Sequence, residues 1–194
     1  MTGEAQPRPP DLAADELIGF LKRLRAVRTF LDQPVPRPII NAILDVARWS
    51  GSASNRQPWE LLVVEDRDVL RQLAALEGHA QHLAGAPAGV VLIMTGDPHR
   101  VEQETFDEGR LSERVMLAAE AYGVGSCIAW LAGDGRSRAK SLLGIPEDRL
   151  VRTVISLGYP DEAARRARPK PQPARKPRSR IAFFGRYPRS RAER

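Results

Sequence analysis

Gly89-Val90-Val91-Leu92-Ile93-Met94 is an unbroken apolar run of the kind that forms a buried strand. It restricts the fold because helices must cover such a strand, and the chain supplies them. Ile39, Ile40, Ile43, Leu44, Val46 and Ala47 recur at helical spacing, as do Leu12, Leu17, Ile18, Leu21 and Leu24. The longest helical pattern runs from Glu104 to Tyr122, with small residues at Ala118, Ala119 and Ala121 and Gly123 placed to cap its end. Further strands are expected at Leu61–Val64, Ser126–Leu131 and Leu150–Leu157, and short helices at Asp66–Leu76, capped by Asp66 or Asp68, and Ser137–Leu143. On pattern alone, helices alternating with strands suggest a parallel α/β sheet.

With 194 residues the chain is one domain with tails: a disordered segment 1–14, a body 15–160 and an extended basic arm 161–194. No apolar run approaches the roughly 18 residues that cross a bilayer. The proline-containing, partly acidic N-terminus resembles neither a signal nor a transit peptide. The single cysteine, Cys127, has no disulfide partner within the chain, which fits the cytoplasm. The net charge of +6 is uneven: residues 161–194 hold twelve Lys or Arg against three Asp or Glu, so the first 160 residues carry about −3. Such an arm is a solvated tether or an anion-binding segment. Nucleic-acid binding through it is the alternative from a different class. Against that, the arm has no aromatic residue before Phe183, and the body is acidic.

The chemistry that is missing narrows the function. No G-x-G-x-x-G follows a strand, and there is no G-x-x-x-x-G-K-[ST], H-E-x-x-H or G-x-S-x-G. His79 and His82, three apart, could share a helix face but lack a third ligand, so no metal site is expected. Cys127 reads as a small core residue, and no acid–base or nucleophile set is evident. A chain of this kind can leave the chemistry to a cofactor. Ser50 to Trp59, Ser-Gly-Ser-Ala-Ser-Asn-Arg-Gln-Pro-Trp, is a junction dense in hydrogen-bonding groups. It reads equally as a helix end and turn or as a ligand loop. Arg23, Arg25 and Arg28 crowd the end of the first helix, where cations are favourable with or without a ligand.

Taken in order, Leu24-Arg25-Ala26-Val27-Arg28-Thr29-Phe30, the Ser-rich Asn-x-Gln-Pro-Trp loop, Tyr122-Gly123-Val124-Gly125-Ser126, Leu143-Gly144-Ile145-Pro146 and Leu157-Gly158-Tyr159-Pro160 resemble the nitroreductase family of FMN-dependent oxidoreductases, over about Leu17 to Tyr187. The resemblance implies an α+β, three-layer α-β-α fold. Its central sheet would be mostly antiparallel and completed by the C-terminal arm of a partner subunit in a homodimer. That arm carries Ile181, Ala182, Phe183, Phe184 and Tyr187 after a proline-rich tether. The resemblance also implies FMN as cofactor and NADH or NADPH as co-substrate. Hydride would pass by a ping-pong route to nitroaromatic, quinone or similar acceptors, with no catalytic side chain.

Carried over position by position, it assigns the FMN phosphate to Arg25, Ala26 and Arg28, with Arg178 and Arg180 as a second basic pair. The ring falls to Ser52, Ser54, Asn55 and Gln57, and N5 to backbone groups of Ile128, Ala129, Trp130 and Leu131. Trp130 is core or a wall of the site. The sequence departs from the family at Leu24, where many members carry Arg, and at Ala26, where they carry Ser. The short His99–Thr105 segment leaves little lid and favours a permissive reductase over the flavin-fragmenting, dehalogenating or azoline-oxidising members.

Overall fold

The computed structural model describes residues 14–167 and 175–187. The expectation for residues 1–13 and part of that for the arm lie outside these. Among the described residues six helices accompany one sheet: α1 Ala14–Arg23, α2 Arg37–Ala47, α3 Arg67–Ala74, α4 Val101–Ala121, α5 Gly135–Leu143 and α6 Glu162–Ala167. The strands are β1 Trp59–Val64, β2 Gly78–His79, β3 Ala88–Met94, β4 Gly125–Leu131 and β5 Leu150–Gly158, in spatial order β1-β3-β5-β4-β2.

Every strand pair is antiparallel. The parallel sheet suggested by alternation alone is therefore corrected. Periodicity finds the elements but not the direction in which each strand returns, and here β3, β5 and β4 are neighbours without the one-way crossovers that a parallel sheet needs.

β3 and β5 are buried along their lengths because helices cover both faces. On one face Val90, Leu92, Ile155 and Leu157 pack with Ile40 and Ile43 of α2 and Leu111, Val115 and Ala119 of α4. On the other, Val91, Ile93, Val154 and Leu131 pack with Leu70 and Leu73 of α3 and Ala139 of α5. Strand alternation sends successive side chains to opposite layers, so one apolar run feeds two cores. The result is the three-layer arrangement.

Local signals set the ends of the elements. The Asp66 carboxylate accepts from Asp68 N–H and Val69 N–H and caps α3. Gly123 (φ 67°) follows the last turn of α4, and Gly144 (φ 67°) ends α5 in the left-handed conformation that glycine tolerates best. The first helix ends at Arg23, one residue before Leu24, the last apolar position of its spacing. Ala26 instead forms a parallel bridge with Ser126 of β4, and Val27 N–H donates to Ser126 O at 2.8 Å. Asp15 lies inside the first turn of α1. Among the described residues no helix is long and apolar enough to cross a membrane.

Candidate functional site

β4 has a divided outer edge. The 26–27 segment pairs with it at Ser126, and β2 pairs with it at Trp130 and Leu131. Beside Ile128, between these contacts, lies a cavity of about 500 Å³ lined by Arg28, His79, Gln81, His82, Gly85 and Ile128. That volume is in the range of small-molecule sites. Its lining includes a guanidinium and two imidazoles and no carboxylate. It therefore suits an anionic or electron-rich ligand.

His82 bridges two strands at the cavity wall. Its Nδ1 is 3.0 Å from Ser156 Oγ on β5, and its Nε2 is 3.3 Å from Ile128 O on β4. Ser156 Oγ–H in turn donates to Cys127 O at 3.2 Å. Sequence reading weighed the two histidines as metal ligands sharing one helix face. The structure instead places His79 on β2 and His82 in a 3-10 turn, Gln81–Gly85. Among the described residues no group of three or more His, Cys, Asp or Glu is arranged to hold a metal ion.

The assigned residues fall into separate places. Arg28 faces the cavity. The Arg25 guanidinium folds back to donate to Lys22 O and Leu24 O, both at 2.7 Å, where it caps the end of α1. Ile128 lines the cavity, and Ala129 and Leu131 point into the core of the opposite layer, so only their backbone groups can serve the rim. Trp130 is 38% exposed and therefore not core. Its ring has both Arg136 and Arg152 over it, with guanidinium carbons 5.6 and 5.7 Å from the centroid. Cys127 is buried, as its reading required. Arg178 and Arg180 form an exposed 3-10 turn in the arm and are not among the cavity-lining residues.

The Ser-rich loop is a built structure. Ser54 (φ 53°), Asn55 (φ 53°) and Gln57 (φ 50°) all adopt left-handed backbone conformations. Each such non-glycine residue costs roughly 1–2 kcal/mol. Ser52 Oγ accepts from Gln57 N–H at 2.9 Å, and Gln57 Nε2 donates to Asn55 O at 3.2 Å. Ala53 N–H donates to the buried carboxylate of Asp107 on α4 at 3.2 Å, and Arg56 lies 3.8 Å from Asp97. None of Ser52, Ser54, Asn55 and Gln57 lines the cavity beside Arg28.

Sequence reading passed over what α4 contributes. Glu104, Asp107 and Glu108 are all buried and occupy the helical phase that Leu111, Val115 and Ala118 continue. Glu104 accepts from Thr95 Oγ at 2.6 Å and from Gly96 N–H at 2.9 Å, Asp107 accepts from Ala53 N–H of the loop, and Glu108 pairs with Arg152. Three acids on the buried stripe of an amphipathic helix are the signal that would have revealed this, since buried carboxylates need partners.

The comparisons place the chain. The nitroreductase family model matches residues 21–95. A protein of Archaeoglobus fulgidus, provisionally named as an NADH dehydrogenase/NAD(P)H nitroreductase, is 33% identical over 156 residues, covering 76% of this chain and 87% of that protein. A Bacteroides thetaiotaomicron structure with the same provisional name is 26% identical and superposes with a TM-score of 0.73 over 88% of this chain and 97% of its own. A structure described as an FMN-dependent nitroreductase from Clostridium difficile superposes with a TM-score of 0.72 over 88% of this chain and 99% of its own, at 24% identity. The chain belongs to the nitroreductase family.

Proposed function

We propose that this protein is an FMN-dependent oxidoreductase. It takes hydride from NADH or NADPH and passes it to a nitroaromatic, quinone or similar acceptor in two half-reactions at one site, and it works as a homodimer. Support comes from the family, from the names carried by the relatives above and from the cavity at the β4 rim, which is the observation that carries the reading. There a cation, two imidazoles and strand backbone border a space of about 500 Å³.

The residues present fit the cofactor. Buried polar atoms are nearly always paired. Among the described residues, four buried side-chain atoms have no hydrogen-bond partner. Three of them are hydroxyls of Thr29, Ser50 and Ser126, next to or two residues from the segments assigned to FMN. When bound, FMN supplies the hydride-accepting and hydride-donating centre, so no catalytic side chain is required.

The chain's own part is to bind and orient. Arg28 supplies positive charge at the cavity. Arg25, with Arg178 and Arg180 of the arm, serves the phosphate, to which guanidinium groups bind well. Ser52, Ser54, Asn55 and Gln57 reach a flavin across the dimer interface, since they do not line the cavity of their own chain. Backbone groups from Ile128 to Leu131 border the reactive edge, where neutral donors can stabilise developing negative charge without titrating. Steady-state rates with NAD(P)H varied at several fixed quinone concentrations test the two half-reactions. Parallel double-reciprocal lines are expected, and intersecting lines would contradict a single shared site.

A further inference from the structure

We infer that Asp107 is a positioning residue that holds the Ser52–Gln57 loop in its left-handed conformation, and that through this loop α4 sets the affinity for flavin. The inference rests on the proposed role of that loop as an FMN contact.

Three observations carry it. First, the loop is strained: Ser54, Asn55 and Gln57 have φ between 50° and 53°, and none is glycine. Such conformations persist where the surroundings fix them. Second, among the described residues two side-chain polar contacts join the loop to the rest of the chain: the buried bond from Ala53 N–H to Asp107 Oδ2 at 3.2 Å and the longer, more exposed pair of Arg56 with Asp97 at 3.8 Å. Third, the site around Asp107 is fitted to the loop. The carboxylate is 3% exposed, and Arg110 Nη1 stands 3.8 Å from Oδ1. The Arg110 guanidinium in turn fills the space where a side chain on Gly51 would sit, since a Cβ there would lie 1.9 Å from Nη2. The glycine before the loop, the arginine and the carboxylate thus form one unit, and loop backbone hydrogen-bonds to its buried end.

The test uses the full chain with Asp107→Ala and Asp107→Asn. The amide keeps an oxygen able to accept from Ala53 N–H, so it should rescue what alanine loses. Loop order is read by native-state trypsin cleavage after Arg56, measured against cleavage after Arg178 in the exposed arm. Flavin affinity is read by fluorescence titration with FMN. Asp107→Ala should raise relative cleavage after Arg56 and the FMN Kd each by about 10-fold or more, with Asp107→Asn within about 3-fold of wild type, as expected for loss and retention of a hydrogen bond to this acceptor.

Unchanged cleavage in Asp107→Ala would overturn the inference while leaving the proposed function standing. Raised cleavage with unchanged FMN affinity would show that the loop does not touch flavin, and would overturn the inference together with that part of the site. If Asp107→Ala does not fold, Ala53→Pro carries the test by removing the N–H that donates to Asp107, at the first position of a 3-10 turn where proline is tolerated. Cleavage after Arg56 and FMN Kd should both rise severalfold, and no change in either would overturn the inference.

Discussion

The two arginines of the 25–28 segment differ in what holds them. Arg25 lies against the last carbonyls of α1, a favourable place for a cation with or without a ligand. Arg28 faces the cavity beside Ile128. If Arg25 also serves the FMN phosphate, Arg25→Ala should weaken FMN binding by about 1.5–3 kcal/mol, the range for a hydrogen bond to a charged group. Riboflavin, which lacks the phosphate, should bind this variant as it binds wild type. Arg28→Ala should weaken both flavins, because its side chain borders the cavity proposed to hold the flavin as a whole. Parallel titrations check both, and an equal loss for the two flavins in Arg25→Ala would leave that residue a helix cap alone. At this scale the sequence marked the 25–28 segment but could not say which of its arginines faces the cavity. The direction depends on Ala26 and Val27 pairing with Ser126, a contact about a hundred residues away in the chain.

α4 organises the rim through its buried acids, and the β5 bulge shows how. The β3–β5 register shifts between Leu92, opposite Thr153, and Ile93, opposite Val151, so Arg152 has no partner on β3. Its guanidinium pairs with Glu108, donates to Thr105 Oγ at 2.8 Å and lies over the Trp130 ring. Removing one member of a buried pair leaves the other charge uncompensated. Arg152→Ala should therefore lower unfolding stability by about 3–5 kcal/mol, measured by urea denaturation. A loss below about 1 kcal/mol, typical of an exposed pair, would show that Glu108 is solvated. The helices α1 to α5 and the long strands were legible because apolar residues recur along them at fixed spacing, whereas α6, with no buried residue, was read as part of the extended arm. β2, only two residues long, was too short to show a period, and the bulge is a register event between strands distant in sequence. The loop was found by its donor-rich composition, whereas its left-handed geometry comes from tertiary contacts that composition does not encode.

At the scale of the molecule, a single chain leaves apolar surface uncovered. Ile181, Phe184 and Tyr187 of the arm are exposed, as are Leu17, Ile18 and Leu21 on α1 and Phe106 on α4. The proposed homodimer would give these exposed apolar groups a surface to bury against. Deleting the chain after Pro177 should give aggregated or flavin-free protein by size-exclusion chromatography with absorbance detection. A soluble monomer with full flavin content would refute the role given to the arm. The central claim, that this member of the nitroreductase family moves hydride through FMN, is tested most directly by one visible absorption spectrum of FMN-reconstituted protein, recorded without oxygen before and after NADH or NADPH. The account predicts yellow protein whose flavin bands bleach on addition of at least one nicotinamide and return when a quinone is added. Protein that stays colourless after incubation with FMN, or bound flavin that neither nicotinamide bleaches, would contradict it.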